Sequence, residues 1–217
     1  MRFVASGAQL DLDIKQIVVA GWTGRNREAV DHHIQELAAI GIAPPSEVPL
    51  YYRVSNGLLT HAPVIDVLGA GTSGEVEPLL IKQGPRLWLG LASDHTDREL
   101  EAHSVAASKQ ACPKPVAAEL WEFDSVSDHV DSLLLRCRIR EHNQWVTYQD
   151  GTLESICPLS ELAGFADFTD GTAMLCGTLA AIDGVRPAAD YQMELIDPLS
   201  GRSIGLNYSV NALPVVL

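Results

Sequence analysis

Short apolar runs separated by turn residues dominate this chain, and the pattern predicts a strand-rich fold. The first clear run, Ile14–Ala20, is rich in β-branched residues, as is typical of a buried strand. Clusters of Gly, Pro, Asn and Asp separate the later runs. The further predicted strands are Val48–Tyr52, Pro63–Leu68, Val76–Ile81, Leu87–Ala92, Ser132–Arg140, Trp145–Gln149, Ala173–Thr178 and Tyr191–Asp197.

Two segments follow the helical period instead. In Arg25–Ile40 the apolar residues recur every three to four positions, and Gly41 then supplies a plausible stop. Asp97–Gln110 is the second predicted helix, and it ends before Pro113. Together the two patterns predict an α+β fold that is mainly β, with two or three short helices.

Composition places this chain among single-domain globular proteins. Its 217 residues are 47% hydrophobic, which suits one packed domain spanning residues 1–217. No apolar run has the length of a bilayer-spanning helix, and the first residues carry no apolar stretch typical of a secretory signal. We therefore expect a cytoplasmic protein.

Charge and cysteine usage narrow the classes of partner. A net charge of −13 disfavours nucleic acid and anionic membranes, because few Lys or Arg side chains are in surplus to neutralise phosphate. The four cysteines, at positions 112, 137, 157 and 176, form no Cys-x-x-Cys pair. This spacing favours reduced, buried thiols over a disulfide framework or a structural zinc site.

Three carboxylates predict a cation site. Glu75 and Glu77 are two residues apart, so on a strand both side chains leave from one face, with Cα atoms roughly 6.5–7 Å apart. Asp94 follows the run Leu87–Ala92 and would end a second strand aimed at the same point. Hard oxygen ligands favour Mg²⁺, Mn²⁺ or Ca²⁺ over zinc. The alternative is the acidic, solvated face of a hairpin.

The segment Asp94–Glu101 resembles the Asp-x-(Thr/Ser)-x-Arg-(Asp/Glu)-(Leu/Ile)-Gln motif of the fumarylacetoacetate hydrolase superfamily. In that family a Glu-x-Glu pair precedes the motif and a lysine follows it, as Glu75, Glu77 and Lys109 do here. Three later stretches resemble the family in the same order, and they are Gly171–Thr178, Tyr191–Ile196 and Gly205–Val210. The resemblance covers nearly the whole chain and identifies it as a divergent, single-domain member of the DUF2848-like type.

The resemblance implies a mixed β-sandwich or roll with the metal at one open end. Residues 1–22 would form N-terminal strands and residues 23–43 a lid-like helix. Glu75, Glu77 and Asp94 would bind Mg²⁺ or Mn²⁺. A His-x-x-Glu pair on the lid would activate water, and His33 and Glu36 have that spacing. His32 is a competing candidate, because the Gly24-Arg25-Asn26 segment lies farther from the histidine than in the family.

The family also suggests residues that hold substrate. Lys109 would stabilise negative charge, unless it is a solvated lysine at a helix C-terminus. Arg98 would pair either with Glu101 or with the metal-binding carboxylates. The remaining candidates for substrate binding are Arg25, Asn26, Gly177 and Thr178, although Arg25 and Asn26 fit a surface loop equally well.

The predicted activity is hydrolysis of a C–C bond in a small acylpyruvate-like 1,3-dioxo acid. A decarboxylase, hydratase, dehydratase or tautomerase using the same metal site is an alternative within the family. Three departures from the family pattern, Glu101, Thr172 and Leu179, motivate a non-catalytic, metal-dependent binding protein as the alternative of another class. The family suggests a homodimer, with Trp121, Phe123 and Trp145 either at the interface or in the core.

Overall fold

The computed structural model describes residues 1–39 and 44–216, except for the side chains of residues 33, 36, 37 and 39. The α-helices are α1 (Arg27–Ala39), α2 (Arg98–Glu101), α3 (Val105–Gln110) and α4 (Leu159–Leu162). The strands are β1 (Arg2–Ala5), β2 (Ala8–Asp11), β3 (Gln16–Gly21), β4 (Leu50–Val54), β5 (Leu59–Thr60), β6 (Val64–Leu68), β7 (Thr72–Ser73), β8 (Val76–Gln83), β9 (Arg86–Ser93), β10 (Thr96–Asp97), β11 (Lys114–Pro115), β12 (Glu119–Glu122), β13 (Leu134–Glu141), β14 (Gln144–Thr152), β15 (Thr172–Leu175), β16 (Asp190–Asp197) and β17 (Arg202–Leu213).

Two sheets organise these strands. The larger sheet has the order β2-β1-β12-β9-β8-β15-β3-β4, and the smaller has the order β14-β13-β16-β17-β6. In the larger sheet β15 runs parallel to β3 and antiparallel to β8. The two short ladders β10-β7 and β11-β5 complete the arrangement. The predicted class, α+β and mainly β, is confirmed.

The larger sheet has apolar layers on both of its faces. Leu80 and Leu89 pack with Leu135 and Leu195 of the smaller sheet in one apolar cluster. Leu79, whose side chain leaves from the opposite face of β8, belongs to a second apolar cluster. Burial on both faces explains why β8 and β9 read as continuous apolar runs, whereas β16 alternates between buried and partly exposed positions.

Three expectations from the sequence need correction or completion. The single helix predicted over Asp97–Gln110 is wrong, because α2 ends at Glu101 and Ser104 caps a separate α3 by accepting a hydrogen bond from the Ala107 N–H. The strand predicted over Ala173–Thr178 ends at Leu175. The predicted end of the first helix, at Ile40 and Gly41, lies outside the described residues.

Aromatic side chains divide between core and surface. Trp121 and Phe123 are buried, as the core alternative requires, whereas Trp145 is 41% exposed. In the described part of the chain, no helix combines the length and apolarity needed to cross a bilayer.

Candidate functional site

A cleft of about 1050 Å³ opens beside the larger sheet. Most of the residues around it come from the end of β3, the start of α1, the start of β8, helices α2 and α3, and the loop that follows β15. These segments are distant in sequence, and the pairing of β15 with both β3 and β8 brings them together.

The hairpin of β8 and β9 places the three predicted carboxylates in this cleft. Glu75 immediately precedes β8, Glu77 is its second residue, and Asp94 follows β9. Glu77 lies opposite Ala92, and the Asp94 N–H donates to the Glu75 carbonyl oxygen at 2.9 Å. All three residues line the cleft, and Glu77 and Asp94 are buried. The alternative of an acidic, solvated hairpin face does not fit this burial.

Two lysines hold the Asp94 carboxylate. Lys109 Nζ donates to Asp94 Oδ2, and Lys114 Nζ lies 3.0 Å from Oδ1. Burial raises the pKa of Asp94, but the positive charges of Lys109 and Lys114 outweigh it and hold the pKa below its usual range. Burial likewise lowers the pKa of Lys109, yet the negative charges of Asp94 and Glu77 outweigh that effect and raise it. Asp94 is therefore an anion at neutral pH.

Glu77 has the opposite electrostatic setting. Burial, and then the negative charge of Asp94, raise its pKa well above the usual range. Its Oε2 accepts a hydrogen bond from the Gly177 N–H at 2.8 Å. A cation between Glu77 and Asp94 would reduce the repulsion between the two carboxylates and would offset the cost of burying an ionised Glu77.

Arg98 satisfies both predicted alternatives at once. Its guanidinium donates to Glu75 Oε2 at 2.9 Å, to Glu101 Oε2 at 2.8 Å and to Ser73 Oγ at 2.7 Å. This three-point contact fixes Glu75 at the cleft wall.

A buried polar network lies next to Asp94. His95 Nδ1 is 3.0 Å from Tyr208 Oη, and its Nε2 is 2.8 Å from Thr72 Oγ1. Burial, reinforced by the positive charges of Lys114 and Arg98, lowers the pKa of His95 to about 3, so the imidazole is neutral. Lys114 Nζ also donates to the His95 carbonyl oxygen. The network ties the residue after Asp94 to β17 and fixes the backbone there.

The other predicted site residues have mixed placements. Asn26 lines the cleft and caps α1 by accepting from the Ala29 N–H at 3.1 Å. Arg25 is not among the lining residues that the structure describes, and both of its terminal nitrogens contact Asp131 at 2.7 Å. His33 and Glu36 belong to α1, but their side chains lie outside the described residues.

Gly177 and Thr178 line the cleft, but their polar groups contact protein. The Gly177 N–H is engaged by Glu77, and Thr178 Oγ1 donates to the Val76 carbonyl oxygen at 2.6 Å. Both contacts hold the start of β8. Of the residues that depart from the family pattern, Glu101 and Leu179 line the cleft, whereas Thr172 accepts from Gln16 elsewhere on the sheet.

The donor set fits a hard divalent cation. Asp94 Oδ1 is buried and has no hydrogen bond among the described residues, despite its contact with Lys114. Carboxylate oxygens are the ligands that Mg²⁺ and Mn²⁺ prefer. Among the described residues, no three side chains already converge as a set of metal ligands; Arg98 holds Glu75, and Lys109 and Lys114 hold Asp94.

Sequence reasoning missed two members of the site, Lys114 and His95. Lys114 lies between Pro113 and Pro115, which the sequence presents as an exposed turn, yet it is 0% exposed. The available signal was the lysine between two prolines close behind Lys109. His95 lies inside the Asp94–Glu101 motif, at a position that the motif leaves unspecified.

Solved structures of several enzymes share this architecture. The fold is similar to a candidate fumarylpyruvate hydrolase from Burkholderia cenocepacia, with a TM-score of 0.70, 13% identity, and 98% of this chain and 92% of that one covered. It is also similar to a 5-carboxymethyl-2-hydroxymuconate delta-isomerase from Mycobacterium smegmatis (TM-score 0.64, 12% identity, 98% and 85% covered). A third similar structure is 2-keto-3-deoxy-D-arabinonate dehydratase complexed with magnesium and 2,5-dioxopentanoate (TM-score 0.64, 13% identity, 94% and 75% covered).

The chain belongs to the family described as "Protein of unknown function (DUF2848)", whose model matches residues 20–208. No curated protein matches the chain significantly by sequence. The fold is therefore shared with enzymes of three reaction types, at identities that establish the fold alone.

Proposed function

We propose that this protein is a Mg²⁺- or Mn²⁺-dependent hydrolase that cleaves a C–C bond in a small acylpyruvate-like 1,3-dioxo acid. The observation that carries the proposal is the pair of buried carboxylates, Glu77 and Asp94, at a cleft large enough for an organic ligand. Lys109 and Lys114 compensate the charge of Asp94, but Glu77 is buried beside it, and ionised Glu77 is costly without a further cation. The Mg²⁺ in the similar dehydratase structure agrees with this choice of ion.

Glu75, Glu77 and Asp94 would hold the cation, which would supply stabilisation of the negative charge that develops on the dioxo oxygens. Lys109 lies against Asp94 in the cleft and would stabilise the same charge. Arg98 would keep Glu75 in place through the contacts described above.

Water is the nucleophile in the proposed reaction. His33, with Glu36 as the proposed orienting partner, would take a proton from water, and the water oxygen would attack the acyl carbonyl carbon. The bond between this carbon and the adjacent methylene then breaks, and its electron pair passes to the pyruvate fragment as an enolate. Return of the proton from the histidine to the enolate carbon would give pyruvate, and the acyl fragment would leave as a carboxylic acid. His32 is the alternative base on the same helix.

Thermal unfolding with Mg²⁺ or Mn²⁺, with and without oxalate, tests the proposed site. Oxalate resembles the planar pyruvate enolate and chelates the same ion. At a concentration one hundred times Kd it stabilises the protein by about 2.7 kcal/mol, and each kcal/mol raises Tm by roughly 2–4 °C. We expect Glu77→Gln to lose the metal-dependent oxalate shift.

The control is Glu122→Gln, which removes the charge of an exposed carboxylate that pairs with Arg86 at 3.4 Å. This variant should keep the full shift. Absence of a shift in the wild-type protein, with either metal, would disprove the metal site. Full metal-dependent turnover by Glu77→Ala would refute the role of that carboxylate.

A lyase or isomerase reaction on the same site is the second candidate function. The dehydratase and isomerase among the similar structures favour it, since both reaction types use a stabilised enolate. If His33→Ala and His32→Ala both leave turnover of an oxo acid intact, water activation by α1 is not required and this second candidate is correct. If neither wild type nor variants turn over any oxo acid while oxalate still binds, the protein is a metal-dependent binding protein.

A further inference from the structure

Apolar side chains make up much of the cleft wall. Trp22, Val30, Val105, Leu179 and Val185 come from the loop after β3, from α1, from the start of α3 and from the loop after β15. Apolar surface from separate elements that faces one cavity stabilises an apolar ligand by removing its surface from water.

The cations of the cleft are already paired. Among its described lining residues, Arg98 and Lys109 are the basic ones. Arg98 contacts two carboxylates and Ser73, and Lys109 donates to Asp94. The acidic lining residues outnumber them, and they include Glu101, which pairs with Arg98, and Asp150, which pairs with Arg136 at 3.3 Å, as well as the three proposed metal ligands. Because Lys109 would serve the oxo-acid end, a second carboxylate at the far end of a ligand would meet described lining residues whose charged groups are already paired or acidic.

Arg25 does not supply the missing cation. Its two nitrogens form a bidentate pair with Asp131, and its Nε donates to the Ile156 carbonyl oxygen at 2.9 Å. Releasing the guanidinium toward the cleft would break three charge-assisted hydrogen bonds, two of which are made to an anionic carboxylate.

Trp22 has an unusual backbone conformation at the cleft wall. Its φ is 60°, which is in the left-handed region that costs a bulky L-residue about 1–2 kcal/mol. Strain of this kind persists where the surrounding structure imposes it, and it is concentrated at ligand-binding sites. The conformation places an aromatic residue among the apolar side chains of the wall.

The cleft also exceeds the needs of a pyruvate group. Its volume of about 1050 Å³ lies just above the usual range for ligand pockets, roughly 300–1000 Å³. The metal-binding part of a dioxo acid has only a few heavy atoms, so most of this space is left for the remainder of the molecule.

We infer that the substrate is a monocarboxylate, either a 1,3-dioxo acid or a 2-oxo acid, whose remaining part is an uncharged alkyl or aryl group. The inference rests on the proposed function, because the metal site would hold the oxo-acid end. It assigns Trp22 as a specificity-determining residue that contacts the apolar part of the ligand.

Two ligands of the same shape test this inference in the full-length protein with Mg²⁺. 5-Methyl-2-oxohexanoate carries an isopropyl group where 2-oxoglutarate carries its second carboxylate. We expect at least tenfold tighter binding of the former, measured as the ligand concentration dependence of Tm. Oxalate, which has no distal group, reports on the metal site alone.

Trp22→Ala should weaken the binding of 5-methyl-2-oxohexanoate several-fold and leave the binding of oxalate unchanged. Trp145→Ala is the matched control, because Trp145 is exposed on β14 and is not among the described lining residues. Trp145→Ala should alter the binding of neither ligand.

The outcomes separate the two proposals. If oxalate binds and 2-oxoglutarate binds as tightly as its apolar counterpart, the inference about substrate is wrong and the proposed function stands. If Trp22→Ala weakens oxalate binding to the same degree as binding of the larger ligand, Trp22 does not determine specificity. If oxalate fails to bind in the wild-type protein, the proposed function fails first.

Discussion

Lys114 shows how strongly one buried side chain constrains the site. Its ammonium lies between Asp94 Oδ1 and the His95 carbonyl oxygen, and burial lowers its pKa despite the nearby carboxylate. Breaking a buried ion pair costs about 3–5 kcal/mol when the remaining charge is left uncompensated, but here Lys109 still pairs with Asp94. We therefore expect Lys114→Met to lower the free energy of unfolding by somewhat less, about 2–3 kcal/mol, measured by urea denaturation with a chelator present.

Lys15→Met is the control for this prediction. Lys15 forms an ion pair of similar length with Asp170, at 2.9 Å, but both side chains are about half exposed. Solvent screens such a pair, so its loss should have little effect. Similar small effects for the two variants would contradict the role assigned to Lys114.

Asp197 provides a prediction about pH that is independent of the cleft. The carboxylate is 1% exposed and accepts hydrogen bonds from Ser200 Oγ at 2.7 Å and from the Leu199 N–H at 3.0 Å. Burial raises its pKa, but the hydrogen bonds from Ser200, together with those from Leu199 and His129, outweigh burial and lower the pKa to about 2.

A carboxyl group with a lowered folded-state pKa stabilises the fold above its unfolded value of about 3.9, and this stabilisation is lost as the pH falls through the folded value. Asp197→Asn should therefore be less stable than wild type at pH 7. The difference should shrink between about pH 4 and about pH 2, as measured by denaturant unfolding at each pH. A difference that stays constant over this window would contradict the assignment.

The individual residues of the site were predictable to different degrees. Glu75, Glu77, Asp94 and Lys109 could be found because their order along the chain follows a known motif, and the structure does bring them to one cleft. Lys114 could not be found, because the burial of a lysine depends on distant elements that pack over it. The partner that Arg25 selects, Asp131, is 106 residues away and leaves no local signal.

Gly177 determines how the loop after β15 meets the loop before α1. Its φ is +94°, and a Cβ at this position would lie 1.7 Å from Thr23 Oγ1. We expect Gly177→Ala to destabilise the fold and to weaken Mg²⁺-dependent oxalate binding, because the displaced backbone would no longer donate to Glu77.

Gly184→Ala separates backbone strain from this steric clash. Gly184 has a similar φ of +83°, but a Cβ there would meet no atom within 4 Å. Gly184→Ala should lower the free energy of unfolding by about 1–2 kcal/mol, because alanine disfavours the left-handed conformation, and it should leave oxalate binding intact. Gly177→Ala should lower the free energy of unfolding by about 1–3 kcal/mol more, because its Cβ would overpack against Thr23. Thermal unfolding and oxalate titration of both variants check this, and equal effects would show that the close approach to Thr23 is unimportant.

Secondary structure was predicted well where periodicity was the dominant signal. The hairpin of β8 and β9 and the helix α1 emerged close to their expected bounds. The break between α2 and α3 did not, because Ser104 adopts an extended conformation and its side chain caps the following turn. A local side-chain hydrogen bond of this kind competes with the helical period, and apolar spacing does not detect it.

The pairing of strands into sheets was the least predictable feature. β15 aligns with β3 so that Thr172 lies opposite Gln16, which is 156 residues earlier in the chain. Apolar patterning identifies strands but contains no information about which distant strand is the neighbour. The order of family motifs supplied the overall architecture, and physical patterning alone would have stopped at a mainly β domain.

The fold family leads us to propose that the protein is a homodimer. β6 lies at the edge of the smaller sheet and exposes Val64 and Leu68, the latter by 61%. Light scattering should give a mass of twice 23.4 kDa, and Leu68→Lys should lower it. Leu199→Lys, at a turn position that is 72% exposed, is the control and should keep the dimer. A wild-type mass of 23.4 kDa would disprove the proposal.

The hydrogen bond between Glu77 and Gly177 joins residues that are 100 positions apart. Ribosomes extend a chain by about 5–20 residues per second, so Glu77 emerges roughly 5–20 s before the amide that holds it. During that interval the β8–β9 hairpin can form, but its acidic residue has no native partner and its apolar faces have no covering sheet. We therefore expect the nascent chain to depend on chaperones until its last third has been synthesised, and the cleft to be among the last features of the molecule to form.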